Sequence, residues 1–129
     1  MSELRIAVIG AGHLGRIHSK LLGQVDGASL VAVSDPFEAA RKNAEELFDV
    51  PVYADYRDCL SEIDAAVIAA PTDMHADIAQ TLLSAGKHVL VEKPLTIVRD
   101  DANRLASLAS AKKLTLQVGH VERFNPAFT

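Results

Sequence analysis

Three glycines near the start of the chain have the spacing of a phosphate-binding turn. Gly10, Gly12 and Gly15 follow a short apolar run, where a buried strand would turn into a helix. Gly10 permits a tight turn, Gly12 lets a pyrophosphate approach the backbone, and Gly15 lets the helix pack closely on the strand. The helix start, at His13 and Leu14, offers unpaired N–H groups and a partial positive charge to the phosphates.

Asp35 ends a second apolar run, twenty residues after Gly15. A carboxylate at that distance can accept hydrogen bonds from the ribose hydroxyls of an adenosine. Asp35 also precedes Pro36, a residue favoured at the first position of a helix, so a compatible second role is that of an N-cap. An ordinary turn with a packing glycine is the alternative for the glycines, but the ordered strand, turn, helix and acid favour a dinucleotide site.

Two further segments place polar side chains directly after predicted strands. In segment 71–75, Thr72 either contacts a ligand or only caps the next helix, and His75 either contacts a ligand or lies on the helix surface. In the other segment, Glu92 and Lys93 end an apolar strand. A lysine there can donate to a substrate oxygen and stabilise developing negative charge, and a solvated ion pair is the alternative.

The elements that must position these residues alternate between apolar runs and segments of helical period. This alternation predicts an α/β fold: a doubly wound (Rossmann), mainly parallel sheet of about six strands in the order 3-2-1-4-5-6, with the ligand at the carboxyl ends near the switch point. The predicted strands are 5–9, 30–34, 52–53, 65–69, 88–91 and 115–118, and the predicted helices are 13–22, 36–48, 72–85 and 99–111.

Apolar stripes predict which helix faces are buried, and a glycine predicts where one helix ends. Gly86 stands where a left-handed residue would cap the third helix. The inward residues of that helix are predicted to be Ile78, Ala79, Leu82 and Leu83, and those of the fourth to be Ala102, Leu105, Ala106 and Ala109.

Composition limits the partners and the compartment. The 129 residues are enough for one domain, and 49% are hydrophobic, which supplies a core. A net charge of −4 without a basic stripe disfavours nucleic acid and anionic membranes. We expect no signal peptide, no membrane span and no metal site. Cys59 is the single cysteine, better explained as a half-buried structural residue than as a nucleophile, and the chain fits the reduced cytoplasm.

Residues 119–129 are not typical of a domain end. Asn125 and Pro126 have the pattern of an N-cap and a first helical residue, and Phe124 and Phe128 need a surface to cover them. We therefore expect a nucleotide-binding domain over residues 1–118, and the start of a connection to a second domain over residues 119–129.

Taken in order, the glycine turn, Asp35, segment 71–75 and segment 92–94 resemble the glucose–fructose oxidoreductase, inositol dehydrogenase and MocA (Gfo/Idh/MocA) family. The resemblance covers the whole chain and is most specific at Glu92-Lys93-Pro94. It implies hydride transfer between a nicotinamide cofactor and a sugar-like alcohol or ketone.

The family resemblance also implies roles for individual residues. Lys93 would be catalytic, in contact with the reacting oxygen. Pro71, Thr72 and His75 would lie by the nicotinamide half of the cofactor, and Glu92 by its ribose. With the residues of the glycine turn, the cofactor-binding set would be Gly10, Gly12, His13, Leu14, Gly15, Asp35, Pro71, Thr72, His75, Glu92 and Pro94.

The tail looks like that of family members acting on the 3-hydroxyl of nucleotide-linked amino sugars. His120 and Arg123 would either reach the substrate or act as hinge and interface residues. Members of the family carry a second domain that supplies the substrate pocket, a proton-transferring histidine and the contacts of a homo-oligomer. His13 and His18 are not placed to replace that histidine, so we expect this chain alone to be inactive.

We expect NAD to be preferred over NADP, because Asp35 would repel a 2′-phosphate and Arg41, the nearby cation, lies two helical turns beyond the cap. Two other functions remain open. One is a non-catalytic sensor of the nicotinamide redox state, which would not need Lys93. The other is a domain that binds S-adenosylmethionine, although the gap between Gly12 and Gly15 fits a pyrophosphate better.

Overall fold

A computed structural model describes residues 4–92 and 99–119 of the chain. The strands are β1 (Leu4–Ile9), β2 (Ala28–Ser34), β3 (Val52–Tyr53), β4 (Ala65–Ile68), β5 (His88–Glu92) and β6 (Leu116–Gly119). The helices are α1 (His13–Leu22), α2 (Glu38–Leu47), α3 (His75–Ser84) and α4 (Arg99–Ala111), with 3₁₀ helices at Tyr56–Glu62 and Thr72–Met74.

The six strands form one sheet in the order β3-β2-β1-β4-β5-β6, and each paired neighbour is parallel. This confirms the predicted doubly wound fold. The register aligns the strand ends, since Ile9 pairs with both Ser34 and Ile68, and Ile68 pairs with Val91. The loops that follow β1, β2, β4 and β5 therefore leave the sheet at one edge.

Side-chain alternation in the strands divides the core between the two faces of the sheet. In β1, Ala7 and Ile9 pack in a cluster with buried residues of α3 and α4, whereas Ile6 and Val8 belong to a cluster with Leu22 of α1 on the other face. A third cluster joins β2 to α2. Within residues 4–92 and 99–119, no helix is long and apolar enough to cross a membrane.

The predicted helix faces are confirmed for α3 and partly wrong for α4. All four predicted residues of α3 are buried, and Gly86 has a φ of +81° with Lys87 N–H donating to the Leu82 carbonyl at 2.9 Å, as a left-handed cap requires. In α4, Leu105 and Ala109 are buried, but Ala106 is exposed. Successive helical residues are rotated by roughly 100°, which turns Ala106 away from the face that Leu105 presents to the sheet.

Candidate functional site

The glycine-rich turn lies at the carboxyl edge of the sheet, where the chain leaves β1 and enters α1. Gly10 N–H donates to the Ser34 carbonyl of β2 at 2.8 Å, and Ala69 N–H donates to the Ile9 carbonyl at 2.7 Å. The ends of β2, β1 and β4 are thus hydrogen-bonded to one another. This is the topological switch point at which open α/β sheets bind ligands.

Two of the three glycines are required by the protein's own packing. Gly10 has a φ of +106°, and a Cβ there would lie 2.7 Å from the carbonyl carbon of Ala69. A Cβ on Gly15 would overlap the carbonyl oxygen of Gly10. These two glycines let α1 and β4 close around the turn, as the sequence predicts.

Gly12 differs, because nothing in the described part of the chain requires a glycine there. Its φ is −79°, which other residues adopt, and a Cβ built on it has no neighbour among the described atoms within 4 Å. The residue is exposed at the N-cap of α1, where no side chain caps the helix and no acidic residue occupies the first turn. The open backbone and uncapped helix fit a pyrophosphate, so a dinucleotide is a ligand that this site can hold.

Asp35 contacts the glycine-rich turn directly. Its buried carboxylate accepts a hydrogen bond from Ala11 N–H at Oδ2 (2.8 Å) and another from Phe37 N–H at Oδ1 (2.9 Å). The predicted N-cap role is wrong, since Phe37 occupies the N-cap of α2 and Asp35 instead closes a turn before the helix. A carboxylate offers about four acceptor positions, so two remain for ribose hydroxyls. That contact stays a prediction.

Arg41 lies closer to Asp35 than its sequence distance indicates. Its Nη1 donates to the carbonyls of Asp35 (3.0 Å) and Pro36 (2.8 Å), because the side chain folds back along α2 toward the helix start. The expectation that Arg41 stays two turns away is therefore wrong. The guanidinium of Arg41 therefore lies against the backbone of the turn that carries the Asp35 carboxylate, the predicted ribose acceptor.

The start of α3 also differs from its prediction. Thr72 begins a 3₁₀ turn, with Pro71 in the N-cap position, and α3 itself starts at His75 with Met74 as its N-cap and no side-chain cap. Thr72 therefore does not cap α3. It is half-buried at the carboxyl edge, which leaves its predicted ligand contact open.

His75 is not a surface histidine. Only 2% of it is exposed, and its Nε2 lies 2.6 Å from the Ala70 carbonyl oxygen in the loop after β4. The imidazole therefore fixes the loop after β4 through its contact with the Ala70 carbonyl. Direct contact of the ring with a cofactor remains a prediction, but the burial favours a role in positioning the loop.

Sequence reasoning overlooked Phe37, two residues after Asp35. Phe37 is 72% exposed, and its N–H is fixed by the Asp35 carboxylate. The sequence carried no clear signal for this, because the predicted helix began at residue 36 and the place of Phe37 at the N-cap is known from the structure. An exposed aromatic ring beside the predicted ribose acceptor is a candidate surface for a planar base.

Cys59 is structural, and it is more deeply buried than predicted. Its Sγ donates to the Tyr56 carbonyl at 3.1 Å, and its side chain belongs to the core cluster beneath α3. Burial, helped by the negative charge of Glu62, raises the pKa of the thiol to about 11. The thiolate needed by a nucleophile is therefore scarce near neutral pH.

Several predicted residues lie outside what the structure describes. These are Lys93, Pro94, His120 and Arg123, together with the side chain of Glu92. The backbone of Glu92 is described and ends β5 at the carboxyl edge. The roles predicted for these residues remain predictions.

Comparison with known proteins identifies related sequences over almost the full chain. The family model described as "Oxidoreductase family, NAD-binding Rossmann fold" (GFO_IDH_MocA) matches residues 4–120. UDP-N-acetylglucosamine 3-dehydrogenase of Acidithiobacillus ferrooxidans is 35% identical over 129 residues, covering 98% of this chain and 40% of that protein. Inositol 2-dehydrogenase of Rhizobium meliloti is 35% identical over 126 residues, covering 97% of this chain and 38% of that protein.

A solved structure shares the fold and part of the sequence. The WlbA dehydrogenase from Bordetella pertussis, in complex with NADH and UDP-GlcNAcA, superposes with a TM-score of 0.87 at 27% identity, over 98% of this chain and 39% of that chain. The chain thus spans about 40% of the length of the relatives it matches. The match disfavours the S-adenosylmethionine and stand-alone sensor alternatives.

Unequal stability effects are expected at Gly15 and Gly12. Gly15→Ala should lower the free energy of unfolding by about 1–3 kcal/mol, because its methyl group must displace the Gly10 backbone. Gly12→Ala should change the free energy of unfolding by less than about 1 kcal/mol, because the site is open and the restriction that alanine places on the unfolded chain offsets the preference of an N-cap for glycine over alanine. Urea unfolding followed by far-UV circular dichroism measures both. Equal destabilisation by the two variants would mean that the turn is closed at Gly12.

Proposed function

We propose that this chain, which belongs to the Gfo/Idh/MocA oxidoreductase family, is the dinucleotide-binding part of a dehydrogenase that acts on a sugar-like alcohol or ketone. The observation that carries the proposal is the open backbone at Gly12, beside the uncapped start of α1 and the buried carboxylate of Asp35. Together they offer one surface for a pyrophosphate and one acceptor for an adenosine ribose.

The cofactor is proposed to lie across the carboxyl edge. Its pyrophosphate would contact the N–H groups at His13, Leu14 and Gly15, and its adenosine ribose the free acceptor positions of Asp35. The nicotinamide would then point toward the loops after β4 and β5, where Thr72 and Glu92 stand. This direction follows from the strand order, since β4 and β5 lie on the side of β1 opposite to β2.

The reaction proposed is oxidation of a secondary alcohol or its reverse. A bound nicotinamide cofactor would supply the hydride acceptor for this oxidation, and a cation near the substrate oxygen would stabilise the negative charge that develops there as the hydroxyl loses its proton. Lys93 follows the end of β5 and is proposed for that role. The proton acceptor and the substrate walls are proposed to come from residues beyond this domain, since the relatives are about two and a half times as long.

The substrate is proposed to be a sugar-like alcohol, with nucleotide sugars among the candidates. This proposal rests on the substrates for which the related inositol and UDP-N-acetylglucosamine dehydrogenases are named. Residues 119–129 are proposed as the start of the connection to a substrate domain, with His120 and Arg123 as substrate or hinge residues. A cytoplasmic homo-oligomer without nucleic-acid or membrane partners completes the proposal.

Phe37 is proposed as the platform for the adenine ring. A phenylalanine side chain that is 72% exposed gains little stabilisation from burial within the described protein. Its backbone N–H donates to the same carboxylate that would bind the ribose. Adenine is attached to that ribose, so the base and the ring fall on the same turn. Stacking on an aromatic ring contributes about 1–3 kcal/mol for a nucleobase.

Because the chain contains no tryptophan, Phe37→Trp places a single tryptophan at this position, whose fluorescence reports on ligand binding. We expect AMP and NAD to quench its emission, and nicotinamide mononucleotide to leave it unchanged. Leu47→Trp is the matched control, because Leu47 is exposed at the far end of the same helix. Quenching of both reporters alike, or of neither by AMP, would exclude Phe37 as the adenine platform.

NAD is expected to bind at least about tenfold more tightly than NADP, because the Asp35 carboxylate would face a 2′-phosphate. Isothermal titration calorimetry of this chain with both cofactors measures the ratio, and AMP against adenosine 2′,5′-bisphosphate isolates the 2′-phosphate. The guanidinium of Arg41, held on the Asp35 carbonyl, is the positive charge that could offset this repulsion. Equal or tighter binding of NADP would contradict the preference.

The chain alone is expected to bind the cofactor without turning over substrate. Inositols and UDP-sugars with NAD should give no increase in absorbance at the NADH band, because the proton acceptor and the substrate walls are proposed to lie beyond this domain. Lys93→Ala is the control for any signal that does appear. Turnover by the chain that Lys93→Ala abolishes would show that one domain holds the complete catalytic set.

A further inference from the structure

Asp35 joins the proposed ribose and phosphate subsites through its side chain. One carboxylate oxygen accepts from Ala11 N–H in the glycine-rich turn, and the other accepts from Phe37 N–H. We propose that Asp35 is a positioning residue for the phosphate-binding turn, in addition to the ribose contact. The ligand-binding half of this inference rests on the proposed function, and the structural half does not.

The burial of the turn makes this hydrogen bond consequential. Ala11 is only 3% exposed, so its N–H depends on a protein acceptor, and the bond to Asp35 joins residues 24 positions apart. Removal of that acceptor would leave a buried donor unsatisfied, which is costly. The turn between Gly10 and Gly12 would then keep the bond from Gly10 N–H to the Ser34 carbonyl but lose its bond to the Asp35 side chain.

The chemistry of the two neighbours selects a carboxylate over an amide. Both groups that face Asp35 are N–H donors, and an ionised carboxylate presents acceptors on both of its oxygens. Asparagine has the same shape but only one acceptor atom, and its NH₂ group would confront one of the two N–H groups. Asp35→Asn therefore disrupts one of the two bonds whichever way the amide is oriented.

This arrangement has a consequence for changes of cofactor specificity. Replacement of the acid after β2 removes repulsion of a 2′-phosphate, but here it also removes the bond to Ala11 N–H in the turn that would hold the pyrophosphate. We expect Asp35→Ser to weaken NAD without giving tight NADP binding, because both cofactors need the same phosphate turn.

Ligands without ribose hydroxyls separate the two roles of Asp35. ADP and 2′,3′-dideoxy-ADP are titrated calorimetrically into the unmodified chain and into Asp35→Asn. If Asp35 positions the turn, the variant weakens both nucleotides, and dideoxy-ADP loses about tenfold, which corresponds to about 1.4 kcal/mol. If Asp35 serves only the ribose, the variant weakens ADP and leaves dideoxy-ADP unchanged, which would overturn the inference.

Asp55 provides a matched control one strand away. Its Oδ1 accepts from Arg57 N–H at 2.9 Å in a turn of the same kind after β3, and none of its side-chain hydrogen bonds within the described residues reaches the glycine-rich turn. Asp55→Asn should therefore leave both nucleotide affinities unchanged. A loss of dideoxy-ADP binding in Asp55→Asn equal to that in Asp35→Asn would mean that the effect is general destabilisation.

Hydrogen exchange tests the structural half without a ligand. The amide of Ala11 should be protected in the unmodified chain and should exchange faster, relative to core strand amides such as Val67, in Asp35→Asn. An unprotected Ala11 amide in the unmodified chain would refute the positioning role even if Asp35→Asn fails to fold. Failure of the unmodified chain to bind ADP would instead refute the proposed function, while the exchange result would still stand.

Discussion

The close contact between the end of β1 and the end of β4 is the constraint on which the site depends. Ala69 N–H donates to the Ile9 carbonyl, and the next residue, Gly10, lies so near the Ala69 backbone that no side chain fits. Because the turn is held against β4 in this way, α1 begins directly above the sheet edge. The uncapped N-terminus of α1 therefore lies at the switch point of the sheet, where a pyrophosphate fits the open backbone.

The parts of the fold that were predictable from sequence are those encoded by period and spacing. Buried strands of a parallel sheet are nearly continuous apolar runs, so their number and order could be inferred. The spacing of the glycines predicted the turn after β1. Side-chain direction was not encoded in the same way. Ala106 and Leu105 are neighbours with similar polarity, and only the packing of α4 on the sheet decides which one is buried.

Two contacts at the site were not predicted, because each depends on a tertiary partner. His75 was predicted either to contact a ligand or to lie on the helix surface, and neither alternative includes the contact between its buried ring and the Ala70 carbonyl. Arg41 looked remote because sequence distance ignores how a long side chain folds back on its own helix. In both cases a polar side chain satisfies a backbone carbonyl at the carboxyl edge, a requirement that residue patterns do not express.

A shared logic connects Asp35 and Gly12. The carboxylate fixes the turn before any ligand arrives, while the missing side chain at Gly12 leaves the ligand-facing surface of that turn open. A turn that is already ordered loses little conformational entropy on binding, so more of the interaction energy with the phosphates appears as affinity. Because the turn is rigid, it cannot rearrange to compensate for a lost hydrogen bond. If Asp35 binds the ribose as proposed, a substitution that loosens Asp35 from Ala11 affects the pyrophosphate as well as the ribose, because one side chain then serves both groups.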